Sequence, residues 1–341
     1  EDADVKIAYA ETSTAYPHAR AADGTPIYGE HITDEVARYA RAGAAIAKRE
    51  PHDVIYAHDW LSFGAGSAAK RVSGKPLIAH LHASEFDRTG GGTVNQQVYE
   101  IERAGMHVAD RVVAVSHRTK GMAVRHYGIP EEKVRVVWNG IDDATAPPKD
   151  DRIEPRLTAL KTSGHKLVLF AGRLTLQKGP DHFLNAAKIV AKTDPDALFV
   201  IAGSGDMERQ LMRQAAGLGI ADRVLFPGFL RDHDLHEVYR EADVFVMPSV
   251  SEPFGIAALE AMRVGTPVIL SKQTGVAEAV PGAYKVDFWD APKLAELIHE
   301  VLTKPETSAR LSAEGAKAAR ALTWDRAGAS VRSIMDELVP A

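Results

Sequence analysis

The sequence predicts an α/β protein with two parallel sheets, each wound by crossover helices. Short apolar stretches alternate with longer amphipathic stretches along the chain, which is typical of repeated strand–helix–strand units. The strand candidates fall into two sets, and a polar stretch with two prolines, residues 142–151, separates them. A chain of 341 residues is long enough for two domains that each have their own core.

The strand candidates are apolar stretches that each precede a helical pattern. The first set comprises residues 54–57, 76–80 and 111–115. The second set comprises residues 166–171, 197–202, 223–226, 244–247 and 267–270. Ligands of open parallel sheets collect at the carboxyl ends of the strands, so the loops that follow these stretches are where a site is expected.

Composition and charge exclude several classes of function. The formal net charge of −5 shows no excess of basic residues of the kind that nucleic-acid binding needs. The absence of cysteine excludes disulfides, thiolate metal sites and cysteine nucleophiles. No apolar run reaches the ~20 residues of a spanning helix, and no signal peptide opens the chain. We therefore expect a cytoplasmic protein without a transmembrane segment.

Two glutamates, Glu252 and Glu260, mark the most informative segment. The strand candidate 244–247 stops at Pro248, a short loop carries Glu252, and Gly255 opens a helix. The N-terminus of that helix offers free backbone N–H groups and a positive dipole end, which suit a diphosphate. Helical side chains lean toward the N-terminus, so Glu260 points back at a ligand there. One carboxylate can hold a ribose while the other reaches a sugar; the alternative is two solvated glutamates.

The sequence around these glutamates, S-E-P-F-G-I-A-A-L-E-A-M-R-V-G-T-P-V-I, resembles the signature of retaining family-4 glycosyltransferases. This GT-B group includes bacterial glycogen and starch synthase-like enzymes, and with the motifs below the resemblance covers nearly the whole chain. It implies two Rossmann-like domains whose parallel sheets face a cleft. The implied division is an acceptor-side domain over residues 1–148, a nucleotide-sugar-binding domain over 149–322, and a terminal helix over 323–341 that crosses back to the first domain.

Two cations follow the first strand candidate of the second set. Arg173 and Lys178 lie in the run G-R-L-T-L-Q-K-G, directly before Pro180 at an expected helix start. Arg173 offers a planar fork to phosphate oxygens, and Lys178 offers a mobile point charge. The run is similar to the family pattern, which implies that both residues bind the donor diphosphate. The alternative is a pair of surface cations.

Small and apolar residues are further candidates for contact with the donor. The resemblance implies that role for Gly203, Gly205, Phe229, Leu230, Phe254, Gly255 and Ile256. A plain turn at 203–205 and core packing of Phe229 remain open alternatives. Thr274 stands where the family has the first glycine of a pair followed by V-x-E, and Glu278 can also be read as a helix cap.

The first half contains two runs, H-D-W at 58–60 and H-A-S-E-F-D-R at 82–88, that resemble the glycogen synthase-like branch. The resemblance implies that His82 borders the donor sugar, where a neutral imidazole can hydrogen-bond a hydroxyl. His58, Asp59 and Glu85 are acceptor-side candidates. For His58 and Asp59 the alternative is structural, since Asp59 can cap a helix.

Members of the family begin with a strand that is followed by a glycine-rich loop, and this sequence does not show the two in succession. Residues 5–10 are a candidate for that strand, but no glycine-rich loop follows it, and Gly90–Gly92 come too late. We therefore expect that the chain lacks part of the usual N-terminal domain. A sheet that lacks strands exposes an edge, which favours self-association.

The resemblance implies retaining transfer of a hexosyl group from a nucleotide sugar to an acceptor hydroxyl, without a cofactor or a metal ion. Arg173 and Lys178 would stabilise the leaving diphosphate, Glu260 would hold the ribose, and Glu252 would hold the hexose. UDP-glucose is the first expectation for the donor, ADP-glucose the second and GDP-mannose the third. The expected acceptor is a carbohydrate such as an α-glucan, a small hydroxylated metabolite or a lipid-linked sugar.

Other functions remain as alternatives. The chain can be a donor-binding fragment with weak or no transfer, or a GT-B relative such as a nucleotide-sugar epimerase or a phosphorylase. Epimerases lack this pair of glutamates in this context, and a phosphorylase needs a lysine for its pyridoxal cofactor.

Overall fold

The structure is a computed structural model of the chain, and it describes residues 32–90, 94–142 and 159–339. The strand expected at residues 5–10, most of the expected linker and the boundary expected at residue 148 lie outside the described residues.

The described residues form an α/β fold, as the sequence predicts. The strands are β1 (Ile55–His58), β2 (Leu77–Leu81), β3 (Arg111–Ala114), β4 (Val134–Val136), β5 (Lys166–Ala171), β6 (Ala197–Ala202), β7 (Val224–Gly228), β8 (Val244–Met247), β9 (Val268–Ser271) and β10 (Tyr284–Val286). All eight predicted strands are present to within two residues. The sequence interpretation missed β4 and β10, which have three residues each.

Helices follow most of the strands. They are α1 (Ile32–Arg49), α2 (Asp59–Ser73), α3 (Glu85–Arg88), α4 (Gln96–Val108), α5 (His117–Tyr127), α6 (Pro180–Thr193), α7 (Glu208–Gly217), α8 (Asp232–Glu241), α9 (Ile256–Arg263), α10 (Val276–Ala279), α11 (Ala291–Thr303), α12 (Pro305–Ala321) and α13 (Trp324–Leu338). No helix among residues 32–90, 94–142 and 159–339 is both long enough and apolar enough to cross a bilayer.

The chain divides into two compact units. Of the described residues, one unit comprises 32–80 with 94–112, and the other comprises 81–90 with 113–142 and 159–339. The boundaries between them pass through β2 and β3. The strands of this region form a sheet in the order β1-β2-β3-β4, with β1 and β2 parallel and Ile55 opposite Leu77.

The second unit contains a six-stranded sheet in the order β10-β9-β8-β5-β6-β7. Its registered strand pairs are parallel. The chain adds β6 and β7 on one side of β5 and then returns to add β8, β9 and β10 on the other side. The strand order therefore reverses between β5 and β8, and ligands of open α/β sheets bind at such a reversal.

The central strands of this sheet, β5, β6, β8 and β9, are apolar on both faces because helices cover both faces. In β5, Leu167 and Leu169 pack in one hydrophobic cluster, whereas Val168 and Phe170 pack in the other. All four side chains are buried. This two-sided burial explains why the strands read as continuous apolar runs in the sequence and not as an alternating pattern.

The terminal helix α13 is anchored within the second unit. Thr323 caps it by accepting a hydrogen bond from the Arg326 amide, and the Ile141 amide donates to the Leu322 carbonyl at 3.0 Å. Near its end, Glu337 pairs with Arg135 of β4 at 3.2 Å. Gly140 lies directly against the start of this helix, where a side chain has no space.

Gly140→Ala should lower the free energy of unfolding by about 1–3 kcal/mol or more. A Cβ at this position would lie 2.1 Å from the Thr323 carbonyl carbon and 2.2 Å from the Trp324 amide nitrogen, so the backbone must move. Urea denaturation measures the change. The control is Gly328→Ala within α13, whose Cβ would meet nothing within 4 Å and should be neutral or stabilising by up to ~1 kcal/mol. Equal effects at the two glycines would contradict the steric explanation.

Candidate functional site

The candidate site lies where the strand order of the six-stranded sheet reverses. The loop after β5 contains residues 172–179, which carry Arg173 and Lys178, and the loop after β8 contains residues 248–255, which carry Glu252. We call these the cationic loop and the glutamate loop. A backbone hydrogen bond from the Val250 amide to the Gln177 carbonyl, 2.9 Å long, joins the two loops.

The glutamate loop is also tied to the segment that follows β9. The Glu252 amide donates to the Gln273 carbonyl at 3.0 Å, and the Gly275 amide donates to the Glu252 carbonyl at 2.9 Å. The loop ends at Gly255, whose φ of 112° lies in the left-handed region that favours glycine. Gly255 is the N-cap of α9, as the sequence predicts. The Ala258 amide donates to the Gly255 carbonyl at 3.1 Å, so the amides left for a ligand at this helix start are those of Ile256 and Ala257.

Lys178 and Glu252 form an ion pair. The Lys178 Nζ donates to Glu252 Oε2, with Glu252 buried and Lys178 half-buried. The sequence predicts that these residues contact different parts of one donor, the diphosphate and the hexose. Their direct contact places a positive and a negative group within reach of one small ligand at the start of α9.

The loops after β5 and β6 approach each other closely enough to require glycine. Gly203 has a φ of 139°, and a Cβ there would lie 1.8 Å from the Gly172 carbonyl oxygen. A Cβ on Gly205 would lie 2.4 Å from the Leu174 carbonyl oxygen. The packing of these loops therefore accounts for both glycines. Their predicted contact with a donor stays a prediction, as does that of the half-buried Arg173.

Glu260 lies on α9 and receives a hydrogen bond from the Tyr239 hydroxyl of α8, 3.3 Å long. Loss of water around its carboxylate raises the pKa of Glu260 although the residue as a whole is exposed, and the bond from Tyr239 lowers that pKa in part. Burial of Tyr239, together with the nearby Glu260 charge, raises the pKa of its phenol well above the ordinary value. Tyr239 therefore stays a neutral donor to this carboxylate.

The apolar donor-contact candidates differ in exposure. Phe229 is 59% exposed, so core packing, one of the two alternatives for it, does not apply. Leu230 and Phe254 are buried in the hydrophobic core, and Ile256 is half-buried at the first position of α9. Among these four, Phe229 has the most surface available for a planar ligand group.

In the first compact unit, His58 and Asp59 lie at the junction of β1 and α2. His58 is the N-cap of α2, so Asp59 is its first residue and does not cap it. Asp59 is buried and has a φ of 54°, a strained value for a residue other than glycine. The Tyr56 hydroxyl and His80 Nδ1 lie 2.9 Å apart, and the rings of His58 and His80 are 5.4 Å apart. Strain of this kind is common at functional sites.

His82 and Glu85 follow β2 in the second unit. His82 is half-buried. Glu85 is 1% exposed, and its Oε2 accepts a hydrogen bond from Arg88 Nε at 3.2 Å, so its carboxylate is engaged in a buried ion pair. The acceptor-side role of Glu85 stays a prediction, and in this arrangement it would require a change of partner.

Three residues of the site were missed by the sequence analysis: Tyr239, Ser251 and Asp87. The Ser251 hydroxyl donates to Asp87 Oδ1 at 2.7 Å, and Tyr239 meets Glu260. A serine beside Glu252 is visible in the motif, but no local pattern links it to Asp87. Glu278 serves as the cap that the sequence allowed, accepting from the His117 and Arg118 amides at 2.8 Å and 2.7 Å.

Comparison with known proteins identifies the family. The family description "Glycosyl transferases group 1" matches residues 153–318, and "Glycosyltransferase Family 4" matches residues 3–145. A D-inositol 3-phosphate glycosyltransferase of Streptomyces scabiei is 30% identical over 300 residues, which are 83% of this chain and 67% of that protein. The chain belongs to glycosyltransferase family 4.

Matches to other relatives of this family-4 glycosyltransferase cover a smaller share of the relative's length. An uncharacterized glycosyltransferase of Methanocaldococcus jannaschii is 35% identical over 236 residues, 68% of this chain and 60% of that protein. A glycogen synthase of Mycobacterium tuberculosis is 31% identical over 265 residues, 76% of this chain and 62% of that protein. The chain thus spans between 60% and 67% of the length of these three relatives.

Solved structures confirm the GT-B fold. Anabaena HepE in complex with UDP and glucose has a TM-score of 0.75 at 21% identity, over 89% of this chain and 81% of that chain. A sucrose-phosphate synthase from Thermosynechococcus elongatus has a TM-score of 0.76 at 23% identity, over 92% of this chain and 80% of that chain. At these identities the likeness establishes the fold of the family-4 glycosyltransferase and no more.

Glu260→Gln should stabilise the protein at neutral pH and leave its stability unchanged at about pH 4. The raised pKa of Glu260 means that the folded state disfavours its ionised form. Wild-type stability therefore falls as the pH rises through that pKa, whereas the neutral amide has no such dependence. Urea denaturation of both proteins over this pH range measures the difference.

A second variant tests the cause of this pH dependence. Tyr239→Phe removes the bond that lowers the pKa of Glu260, so the fall in stability should extend to a higher pH and become larger. A constant difference between Glu260→Gln and wild type at every pH would show that Glu260 is not perturbed in the folded state.

Proposed function

We propose that this family-4 glycosyltransferase transfers a hexosyl group from a nucleotide sugar to an acceptor hydroxyl with retention at the anomeric carbon. The observation that carries the proposal is the joint position of Lys178, Glu252 and the N-terminus of α9 at the strand-order reversal. The cation and the amides of this helix start suit the charge and the oxygens of a diphosphate. The carboxylate suits the hydroxyls of the sugar.

In the proposed reaction, the bond between the anomeric carbon and the diphosphate oxygen breaks, and its electron pair goes to the diphosphate. Arg173, Lys178 and the first amides of α9 stabilise the charge that grows there, which is usually the largest single catalytic effect. The acceptor oxygen then bonds to the anomeric carbon on the same face, and its proton passes to the departing diphosphate. Glu252 holds the hexose, beside which positive charge develops, and Glu260 holds the ribose.

UDP-glucose is the first choice for the donor. A structural neighbour, Anabaena HepE, was solved with UDP-glucose and with UDP and glucose, which supports a uridine nucleotide. ADP-glucose and GDP-mannose follow. The named relatives support two kinds of acceptor, since one is a glycogen synthase and another a D-inositol 3-phosphate glycosyltransferase. We therefore retain both an α-glucan and a small hydroxylated acceptor.

Thermal-shift measurements against UDP-glucose, ADP-glucose and GDP-mannose test the donor, and release of nucleoside diphosphate with each acceptor tests the transfer. Proton NMR of the product reports the anomeric configuration. Binding without release of nucleoside diphosphate would favour the donor-binding alternative, and conversion of the free nucleotide sugar to an isomer would favour the epimerase. An inverted product would contradict the proposed reaction.

The reaction should proceed without an added metal ion, because the two cations of the cationic loop supply the positive charge. EDTA should leave the turnover and the donor affinity nearly unchanged, measured by product release and by calorimetry. A strict requirement for Mg²⁺ or Mn²⁺ would contradict this proposal. Imidazole nitrogens, as at His58 and His80, are common metal ligands, so the measurement includes Zn²⁺ added back after chelation.

Lys178→Ala should lower kcat/KM by about 10- to 150-fold, because it removes a charge-assisted contact worth ~1.5–3 kcal/mol. The control is Lys192→Ala, which removes an exposed lysine from the last turn of α6. Lys192→Ala should match the wild type. Unchanged kinetics for Lys178→Ala would show that this lysine only pairs with Glu252 and takes no part in the reaction.

The two glutamates should have separable kinetic effects. Glu260→Ala loses ribose contacts that exist in the ground and transition states alike, so the KM for the donor should rise more than kcat falls. Glu252→Gln keeps its shape but loses the charge beside the developing positive centre, so kcat should fall most. Initial-rate kinetics with varied donor measure both constants. The opposite pattern would exchange the two roles.

A further inference from the structure

We propose that Asp87 and Arg118 are positioning residues that hold Glu252 in place through the hydroxyl of Ser251. This inference rests on the proposed function, which gives Glu252 a role beside the transferred sugar. Asp87 lies in the segment after β2, and Arg118 lies in the first turn of α5. Arg118 lies outside the motifs described above, and Asp87 lies in the run at 82–88, where the resemblance gives it no role.

The Ser251 hydroxyl lies between a guanidinium and a carboxylate. It donates to Asp87 Oδ1 at 2.7 Å and accepts from Arg118 Nη2 at 3.0 Å. Ser251 is 3% exposed and Asp87 is fully buried, so water does not compete for the Asp87 contact. Hydrogen bonds to charged groups are stronger than those between neutral groups, and this serine makes one with each sign of charge.

Both anchors are themselves fixed. Asp87 Oδ2 accepts from the amide and the hydroxyl of Ser84 at 2.9 Å and 2.6 Å, which forms the capping box at the start of α3. The Arg118 amide donates to Glu278 at 2.7 Å, and the neighbouring cap Ser116 accepts from the Thr119 amide at 3.0 Å. The carboxylate of Asp87 and the backbone of Arg118 are therefore both held in place.

A second contact holds the loop on the other side of Glu252. The Pro253 carbonyl accepts from the Ser116 hydroxyl at 2.7 Å and from the Thr119 hydroxyl at 3.3 Å. The residues before and after Glu252 are thus both fastened by buried side chains of the second unit. The loop also has backbone hydrogen bonds to Gln177, Gln273, Gly275 and Val276, and these side-chain contacts add to them.

The position of Glu252 matters because a charge acts on the reaction only at short range. Displacement of a reacting or stabilising group by about 1 Å can cost ~100-fold in rate. Lys178 attracts the Glu252 carboxylate toward the cationic loop, and a restraint on the neighbouring backbone limits how far that attraction can move it. Ser251, as the preceding residue, is the point where such a restraint acts directly.

The test uses the full chain with Ser251→Ala, Asp87→Asn and the double variant. Each single variant should lower kcat about 10-fold or more, with the KM for the donor and the affinity for UDP within about twofold of wild type. The double variant should be no worse than the poorer single variant, because each change breaks the same connection. Calorimetry with UDP should give one site per chain, which shows that the variants are folded.

Ser249→Ala is the matched control. Ser249 lies in the same loop and is equally buried, but its hydroxyl has no hydrogen-bond partner among the described residues. Its removal should leave kcat unchanged. If Ser249→Ala lowers kcat as much as Ser251→Ala, or if the Asp87 and Ser251 effects multiply in the double variant, the positioning role is wrong.

Hydrogen–deuterium exchange gives a readout that does not depend on turnover. Ser251→Ala should accelerate exchange in residues 248–255, whereas Ser249→Ala should not. If the wild type transfers no sugar from any nucleotide donor, the proposed function fails, and the exchange comparison still decides the restraint. Equal exchange in wild type and Ser251→Ala would overturn the restraint even when the wild type is active.

Discussion

The reversal of strand order between β5 and β8 is the constraint on which the candidate site depends. Both strands are buried, and their following loops leave the same edge of the sheet side by side. The first loop brings Lys178 and the second brings Glu252 and the start of α9. Because the reversal leaves room at this edge, a charged pair can exist there without the helices covering it. The topology of the sheet therefore determines which loops can bring charged side chains together at this site.

A ligand could replace the Lys178–Glu252 pair with contacts of its own. Partial burial removes water from both charges, and their mutual attraction offsets that loss. A diphosphate would give Lys178 another negative partner, and sugar hydroxyls would give Glu252 new donors. A ligand that binds both groups at once would therefore take the place of their mutual contact. The raised pKa of Glu260 is a similar cost, since it records a carboxylate held where its charge is disfavoured.

The sequence was sufficient to predict the fold, but not the contacts between side chains from distant parts of the chain. Continuous apolar runs predicted β5, β6 and β8 at their observed bounds, because two-sided burial demands such runs. β4 and β10 were missed because three residues give too short a pattern. The contact between Asp87 and Ser251 joins positions 164 apart in the chain, and no local rule predicts it. The sequence left the role of Phe229 open because it does not show whether a phenylalanine is exposed or buried.

The departure of Thr274 from the family pattern has a steric explanation. In a glycine pair, only the position that meets a backbone must remain glycine. Here that position is Gly275, where a Cβ would lie 2.0 Å from the Pro253 carbonyl oxygen and 2.7 Å from the Ser116 hydroxyl. Thr274 is buried and its hydroxyl donates to the Ser271 carbonyl at 2.8 Å, so this side chain has both space and a partner. A side chain at position 275 would therefore block the contact between Ser116 and the loop that carries Glu252. The side chain of Thr274 leaves that contact intact.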